Sequence, residues 1–89
     1  MKGIISVLGK DNVGIMYKVS KILAEKEVNI EDVTQTILQG YFTMLMLVRI
    51  DETKTNIGDL KKALTDMGEK ENISINVQKA EIFEAMHKV

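Results

Sequence analysis

The sequence predicts an α+β fold of the ferredoxin-like βαββαβ type, in which two helices cover one face of a four-stranded antiparallel sheet and a short helix follows at the C-terminus. Short apolar runs alternate with helical stripes in the order strand, helix, strand, strand, helix, strand. The 89 residues suit one domain. Right-handed crossovers place both helices on the same face of the sheet. We therefore predict a single domain, 1–89, with its core in 1–79 and an amphipathic helix in 80–89.

The first part of the chain predicts a strand, a turn and a helix. Lys2 to Leu8 is short and β-branched, and Gly9 to Gly14 then supplies turn-forming residues. From Ile15 onward the apolar residues follow a helical period. Asp11 or Asn12 is placed to cap this helix.

A hairpin, a helix and a last strand are predicted in the remainder. Asn29 to Leu38 indicates a strand, and Gln39-Gly40 joins it to the apolar strand Tyr41 to Ile50. The next helix is predicted from apolar residues at helical spacing, which are Ile57, Leu60, Leu64 and Met67. Asn56 with Asp59 resembles a capping box at its start, and Gly68 is the predicted stop at its end. Asn72 to Gln78 alternates as a strand should, and the tail places Ile82, Phe83, Met86 and Val89 on one helical face.

One sheet face is more apolar than a solvent-facing surface should be. The strand Tyr41 to Ile50 does not alternate, so Tyr41, Leu45 and Leu47 fall opposite the helices, beside Ile4 and Leu8. Such a patch usually marks a contact surface. Two possibilities remain for what covers this patch. The tail folds back on its own sheet, or the tail and the patch mediate assembly between copies.

The strand Asn29 to Leu38 is expected at an edge of the sheet. It contains neither Pro nor Lys, the residues that commonly blunt an edge. An unprotected edge invites pairing with a second copy across a twofold axis. We therefore expect a homo-oligomer, a dimer or a tetramer.

Composition excludes several functional classes. The formal net charge is -1, with 12 basic and 13 acidic residues, so the basic excess that a nucleic-acid partner requires is missing. There is no cysteine, and His87 is the only histidine, so we expect neither a metal nor another cofactor. No apolar run approaches the roughly 18 residues of a membrane span. We expect a cytoplasmic protein. We also expect no catalytic residues, because no acid/base pair or nucleophile constellation is recognisable.

The junction between the first strand and the first helix is the candidate ligand site. The first amides of a helix have no intrahelical partners and favour an anion, and Gly14 allows a carboxylate to approach the backbone. Asp11 and Asn12 can accept a hydrogen bond from an ammonium group. An α-amino acid carries both charges. The alternative is that Asp11 or Asn12 only caps the helix while Gly14 relieves a tight turn.

Gly9-Lys10-Asp11-Asn12-Val13-Gly14-Ile15, followed by an amphipathic helix and Val28-Asn29-Ile30-Glu31-Asp32, resembles an ACT domain. The resemblance covers essentially the whole chain. It is strongest to small stand-alone ACT proteins that end in a segment similar to Ala80 to Met86, and it extends to the ACT repeats of glycine cleavage regulators. This chain has one such repeat and no DNA-binding element.

The resemblance implies an amino-acid effector site at a subunit interface. One wall would consist of Asp11, Asn12, Val13, Gly14 and Ile15. The other would consist of Asn29, Ile30 and Glu31, from the same or the neighbouring subunit. The expected function is that of a non-catalytic regulatory module that senses a small molecule and acts on a partner protein. The alternative is a homo-oligomeric assembly module without a ligand.

Overall fold

In the computed structural model, which describes residues 1–10 and 14–81, the chain has the predicted element order. The strands are β1 (Lys2–Lys10), β2 (Asn29–Leu38), β3 (Tyr41–Arg49) and β4 (Ser74–Lys79), and the helices are α1 (Ile15–Glu25) and α2 (Ile57–Glu71). The four-stranded antiparallel sheet has the order β2-β3-β1-β4. The predicted ferredoxin-like sandwich is therefore confirmed, and β2 lies at an edge as expected.

The hydrophobic core lies between the helices and one face of the sheet. Its most deeply buried members on the central strands are Ile5, Val7, Met44, Met46 and Val48. The helices contribute Ile15, Val19, Leu23, Leu60 and Leu64. No polar or charged residue among the described ones is buried. The alternation along β1 and β3 leaves Ile4, Leu8, Tyr41, Leu45 and Leu47 on the opposite face, which we call the open face, as the sequence predicts.

The start of α1 differs from the prediction. Its N-cap is Gly14, with φ 94° and ψ 0°, and neither Asp11 nor Asn12 occupies that position. The first intrahelical bond runs from the Lys18 amide to the Gly14 carbonyl, at 2.9 Å. The turn also begins later than predicted, because Gly9 and Lys10 continue β1 and pair with Phe42 and Tyr41.

The ends of α2 confirm one prediction and correct another. Asn56 is the N-cap, and its Oδ1 accepts a hydrogen bond from the Asp59 amide at 2.8 Å. Gly68 does not stop the helix, which continues to Glu71. Asn72 ends it in the left-handed conformation, with φ 60°, which asparagine tolerates better than most residues. The Ile73 amide then bonds the Gly68 carbonyl at 2.7 Å, a Schellman closure that directs the chain into β4.

The β2–β3 hairpin closes as predicted. Leu38 pairs with Tyr41, and the two turn residues, Gln39 and Gly40, both have positive φ, as a type I′ turn requires. At the other end of β2, the register with β3 shifts between Ile30 and Asp32, which marks a bulge.

Most of the C-terminal helix predicted for 80–89 lies outside the described residues. Ala80 and Glu81 are helical, and Ile82, Phe83, Met86 and Val89 lie outside the described residues. None of the helices described is long and apolar enough to cross a membrane.

Candidate functional site

Two of the five residues predicted for the first wall of the ligand site are described. Gly14 is half-buried, and a Cβ built on it would meet nothing within 4 Å. Ile15 is fully buried in the core, so only its backbone faces the junction. Asp11, Asn12 and Val13 lie outside the described residues.

Among the described residues, no acidic side chain lies at the start of α1, and Gly14 has no side chain with which to cap the helix amides. At the start of α2, by contrast, both Asn56 and Asp59 are present and bond each other. The positive end of the α1 dipole is therefore not neutralised by the N-cap residue or by the first turn.

The second predicted wall lies at the start of β2. Asn29 pairs with Arg49, and Ile30 pairs with Val48 on the helix side of the sheet, where Ile30 remains 37% exposed. Glu31 points to the open face, because its carboxylate lies 2.8 Å from the Arg49 guanidinium and 3.5 Å from the Lys2 ammonium. These ion pairs engage Glu31 at the bulge, while Asn29 and Ile30 stay exposed at the sheet edge.

Within one chain the two walls lie at opposite ends of the sheet. Lys10, which leads into the loop, shares a row with Tyr41 and Leu38, whereas Asn29 shares a row with Arg49 and Lys2. The eight steps along β1 between these rows correspond to about 26 Å. A single subunit therefore does not bring Gly14 and Asn29 together.

The structure contains an open cavity beside Lys10, where the loop begins, and the sequence does not predict it. Its volume is about 590 Å³, and its polar lining includes Lys10, Tyr41, Glu69 and Ser74. It lies where β1 extends past the start of β4, on the far side of β1 from the β2 edge. These residues come from separate elements and share no motif, so only the fold shows that they are neighbours.

The described residues contain no recognisable catalytic chemistry. No group of three or more His, Cys, Asp or Glu side chains in residues 1–10 and 14–81 is arranged to hold a metal ion. The pKa of Asp51 is lowered because its carboxylate accepts hydrogen bonds from the Thr53 hydroxyl, at 2.6 Å, and from the Thr53 amide. Asp51 belongs to an exposed turn, so this shift reflects local turn formation.

The left-handed conformation of Gly14 leads to a testable prediction. A methyl group has room there, so the cost of Gly14→Ala comes from the backbone alone, about 1–2 kcal/mol of unfolding free energy. Chemical denaturation measures this loss. Gly14→Asn is the matched control and should lose less, because asparagine tolerates the left-handed region. Equal stability of the alanine variant and the wild type would show that the residue does not adopt this conformation.

Comparison with known proteins identifies the family to which this βαββαβ sandwich belongs. An ACT domain model matches residues 3–78. A UPF0237 protein of Listeria innocua is 47% identical over 89 residues, with 100% of both chains covered. A UPF0237 protein of Methanocaldococcus jannaschii is 42% identical over 86 residues, which cover 97% of this chain and 96% of that one. The chain therefore belongs to the ACT domain family.

Solved structures agree with this assignment. An ACT domain protein from Streptococcus pneumoniae is 45% identical, with a TM-score of 0.82 and 94% coverage of both chains. A glycine cleavage system transcriptional repressor, 22% identical, shares the fold with a TM-score of 0.77 over 86% of this chain and 44% of its own. ACT domains are regulatory-type rather than catalytic domains, and these two UPF0237 relatives carry no enzyme name.

Proposed function

We propose that this chain is a cytoplasmic, non-catalytic regulatory module that binds an amino acid between two subunits and thereby changes its contacts with a partner protein. The observation that carries the proposal is the exposed edge of β2, because a second copy paired along this edge would bring the two predicted walls towards each other. ACT domains commonly dimerise and bind amino acids, which supports the same reading.

Pairing two copies along β2 would assemble the site. In an antiparallel pair related by a twofold axis, Asn29 of one subunit lies opposite Leu38 of the other if the strands pair along their full length. Leu38 shares a row with Lys10, at the root of the loop. The two walls, about 26 Å apart in one chain, therefore approach each other across the axis.

The apolar residues of β2 favour such a pair. Ile37, on the helix side of the sheet, is 74% exposed, and Ile30 on the same side is also exposed. A second copy beside the edge would shield both. The helix amides that follow Gly14 would receive the carboxylate, and Asp11 and Asn12 would receive the ammonium group. Glu31, engaged by Arg49 and Lys2, would hold the bulge that positions Asn29 and Ile30.

The first experiment is a thermal-shift panel of the twenty amino acids at millimolar concentration. An effector present at 100 times its Kd stabilises the folded protein by about 2.7 kcal/mol, which corresponds to a rise in Tm of roughly 10–20 °C in a domain of this size. Asp11→Ala and Asn29→Ala should each remove the shift, and Thr65→Ala on the outer face of α2 should retain it. If no amino acid stabilises the wild type, the amino-acid proposal is wrong.

Mixing the two defective variants tests whether the site is shared between subunits. Each twofold dimer has two junctions, so a mixed dimer of Asp11→Ala and Asn29→Ala chains has one junction with both walls intact. After subunits exchange at random, titration calorimetry should recover about a quarter of the wild-type sites. A site contained within one subunit would recover none.

The second candidate function is that of a ligand-free assembly module. It is favoured by the exposed apolar residues at the hairpin tip, Ile37 and Leu38, together with the open face. An oligomer that forms normally while no amino acid shifts Tm would support this candidate.

A further inference from the structure

The sheet has a second free edge, formed by β4. Within the described residues, β4 is the last strand in the order β2-β3-β1-β4 and pairs with β1 alone. Alternate residues of such a strand direct their amide and carbonyl groups away from the sheet. Ser74–Lys79 contains no proline and no register shift, and its one lysine, Lys79, stands at its end. An extended segment can therefore add to β4 as a fifth strand.

A depression lies beside this edge, between β4 and α2. Its volume is about 350 Å³, and its walls are formed by Ile57, Lys61, Val77, Gln78 and Lys79. Val77 is buried and Ile57 is half-buried, so part of the depression is apolar. An added strand would run alongside it and could place a side chain in it.

The charged residues at the depression are both basic. Lys61 and Lys79 are exposed, and neither forms an ion pair with a carboxylate among the described residues. The β2 edge differs, since β2 carries Glu31 and Asp32 and no basic side chain. Charge therefore directs an acidic segment to β4 and away from β2.

We propose that the β4 edge binds an extended acidic segment of a partner protein. This inference rests on the proposed function, because it names the surface through which the chain contacts its partner. The backbone of the segment pairs with the free groups of β4, which supplies affinity without sequence preference. The side chains on either side of β4 supply the preference.

The two faces of β4 select different side chains. On the helix side, Val77 pairs with Ile5 and Lys79 pairs with Gly3, and Lys61 lies beside them. A segment that alternates carboxylates with a small apolar residue suits this side, since residues two apart share a face and lie about 7 Å from each other. On the open face β4 presents only uncharged polar side chains, which are Ser74, Asn76 and Gln78. Threonine or serine suits that side.

A second copy of β4 suits this edge less well than an acidic segment. If two β4 strands paired along their full length across a twofold axis, Val77 would lie opposite Asn76 of the copy, beside the axis. Lys61 borders the same depression as Val77, so the two Lys61 ammonium groups would approach each other. Like charges in an interface oppose association.

The test uses two capped seven-residue peptides and the full chain labelled with ¹⁵N. Both peptides have threonine at alternate positions, beginning with the first, and valine in the centre. The remaining two positions are glutamate in the acidic probe and lysine in the basic probe. In NMR titrations the acidic probe should shift the amide signals of Ser74–Lys79, and the basic probe should bind about tenfold more weakly. Binding of the acidic probe should weaken at 1 M salt, where the screening length is about 3 Å.

Charge reversal at the depression should reverse the preference between the probes. The double variant Lys61→Glu and Lys79→Glu should bind the basic probe more tightly than the acidic one. Both side chains are exposed, so circular dichroism should show an intact fold. Lys62→Glu is the matched control, because Lys62 lies on the same helix outside the depression and is paired with Asp66. It should retain the wild-type preference.

Three outcomes would overturn the proposal. One is equal binding of the two probes by the wild type, or no binding of either. Another is a set of shifted amides confined to β2. The third is strong protection of the outward β4 amides from hydrogen exchange in the free protein, which would show that the segment 82–89 or another copy already covers the edge. The titration contains no amino acid, so probe binding without a thermal response to amino acids would retain this inference and reject the amino-acid site.

Discussion

Replacing Gly68 with alanine is expected to destabilise the fold by about 1–3 kcal/mol, although alanine is normally the better helix former. A Cβ at position 68 would lie 2.6 Å from the Ile73 carbonyl oxygen. That oxygen belongs to the backbone where the chain turns from α2 into β4, and the Ile73 amide is bonded to the Gly68 carbonyl. Helix and strand must therefore separate to admit the methyl group, which strains the Schellman closure. Urea denaturation measures the loss of unfolding free energy.

The matched control is Gly58→Ala, in the first turn of the same helix. There the nearest atom to the added Cβ is the Asn56 side-chain oxygen at 3.1 Å, which can move by a few tenths of an ångström. The change in unfolding free energy should stay under about 1 kcal/mol in either direction. If Gly68→Ala proves as stable as Gly58→Ala, the close approach between α2 and the start of β4 is not a constraint on the fold.

The same glycine illustrates what periodicity can and cannot predict. Ile57, Leu60 and Leu64 lie on one face of a helix whatever follows, so the existence and orientation of α2 were predictable. The helix end was predicted incorrectly because a glycine near the end of a helical pattern, such as Gly68, is a common signal for the end of a helix. Its actual role, a close contact with Ile73, depends on a residue five positions later that packs against it only in the folded chain. Asn72, which does end the helix, carried a weaker local signal.

The candidate site was predictable only in part for a related reason. Gly14 follows a strand and precedes an amphipathic helix, so its left-handed conformation accords with its sequence position. The separation of Gly14 from Asn29 depends on strand direction and register, and it shows that one subunit cannot supply both walls. The engagement of Glu31 depends on Arg49 and Lys2, which are neighbours only across three strands. The resemblance to ACT domains supplied the proposed pairing of the walls, and their separation within one chain is the reason why the proposal places the site between two subunits.

A contact between copies at the β2 edge would use unpaired backbone groups. Such a contact would bring Gly14 of one subunit towards Asn29 of the other. Amino-acid binding is therefore expected to depend on the edge.

Truncating Leu64 to alanine is expected to have the largest effect of any single change discussed, a loss of about 2–5 kcal/mol. Leu64 is fully buried in the middle of α2, in the core between the helices and the sheet. The loss combines the transfer free energy of the deleted carbons with the cavity they leave. A typical domain is stable by only about 5–15 kcal/mol, so the variant should be close to unfolding at 37 °C.

Leu38→Ala is the matched control, since it deletes the same atoms from a side chain that is 67% exposed at the hairpin tip. Its loss should stay below about 1 kcal/mol when unfolding is measured at a protein concentration low enough to separate subunits. A similar loss for both variants would mean that Leu38 is buried in an interface that persists at that concentration. A small loss for both would contradict the placement of Leu64 at the centre of the core, because truncating a buried leucine lowers the unfolding free energy much more than truncating an exposed one.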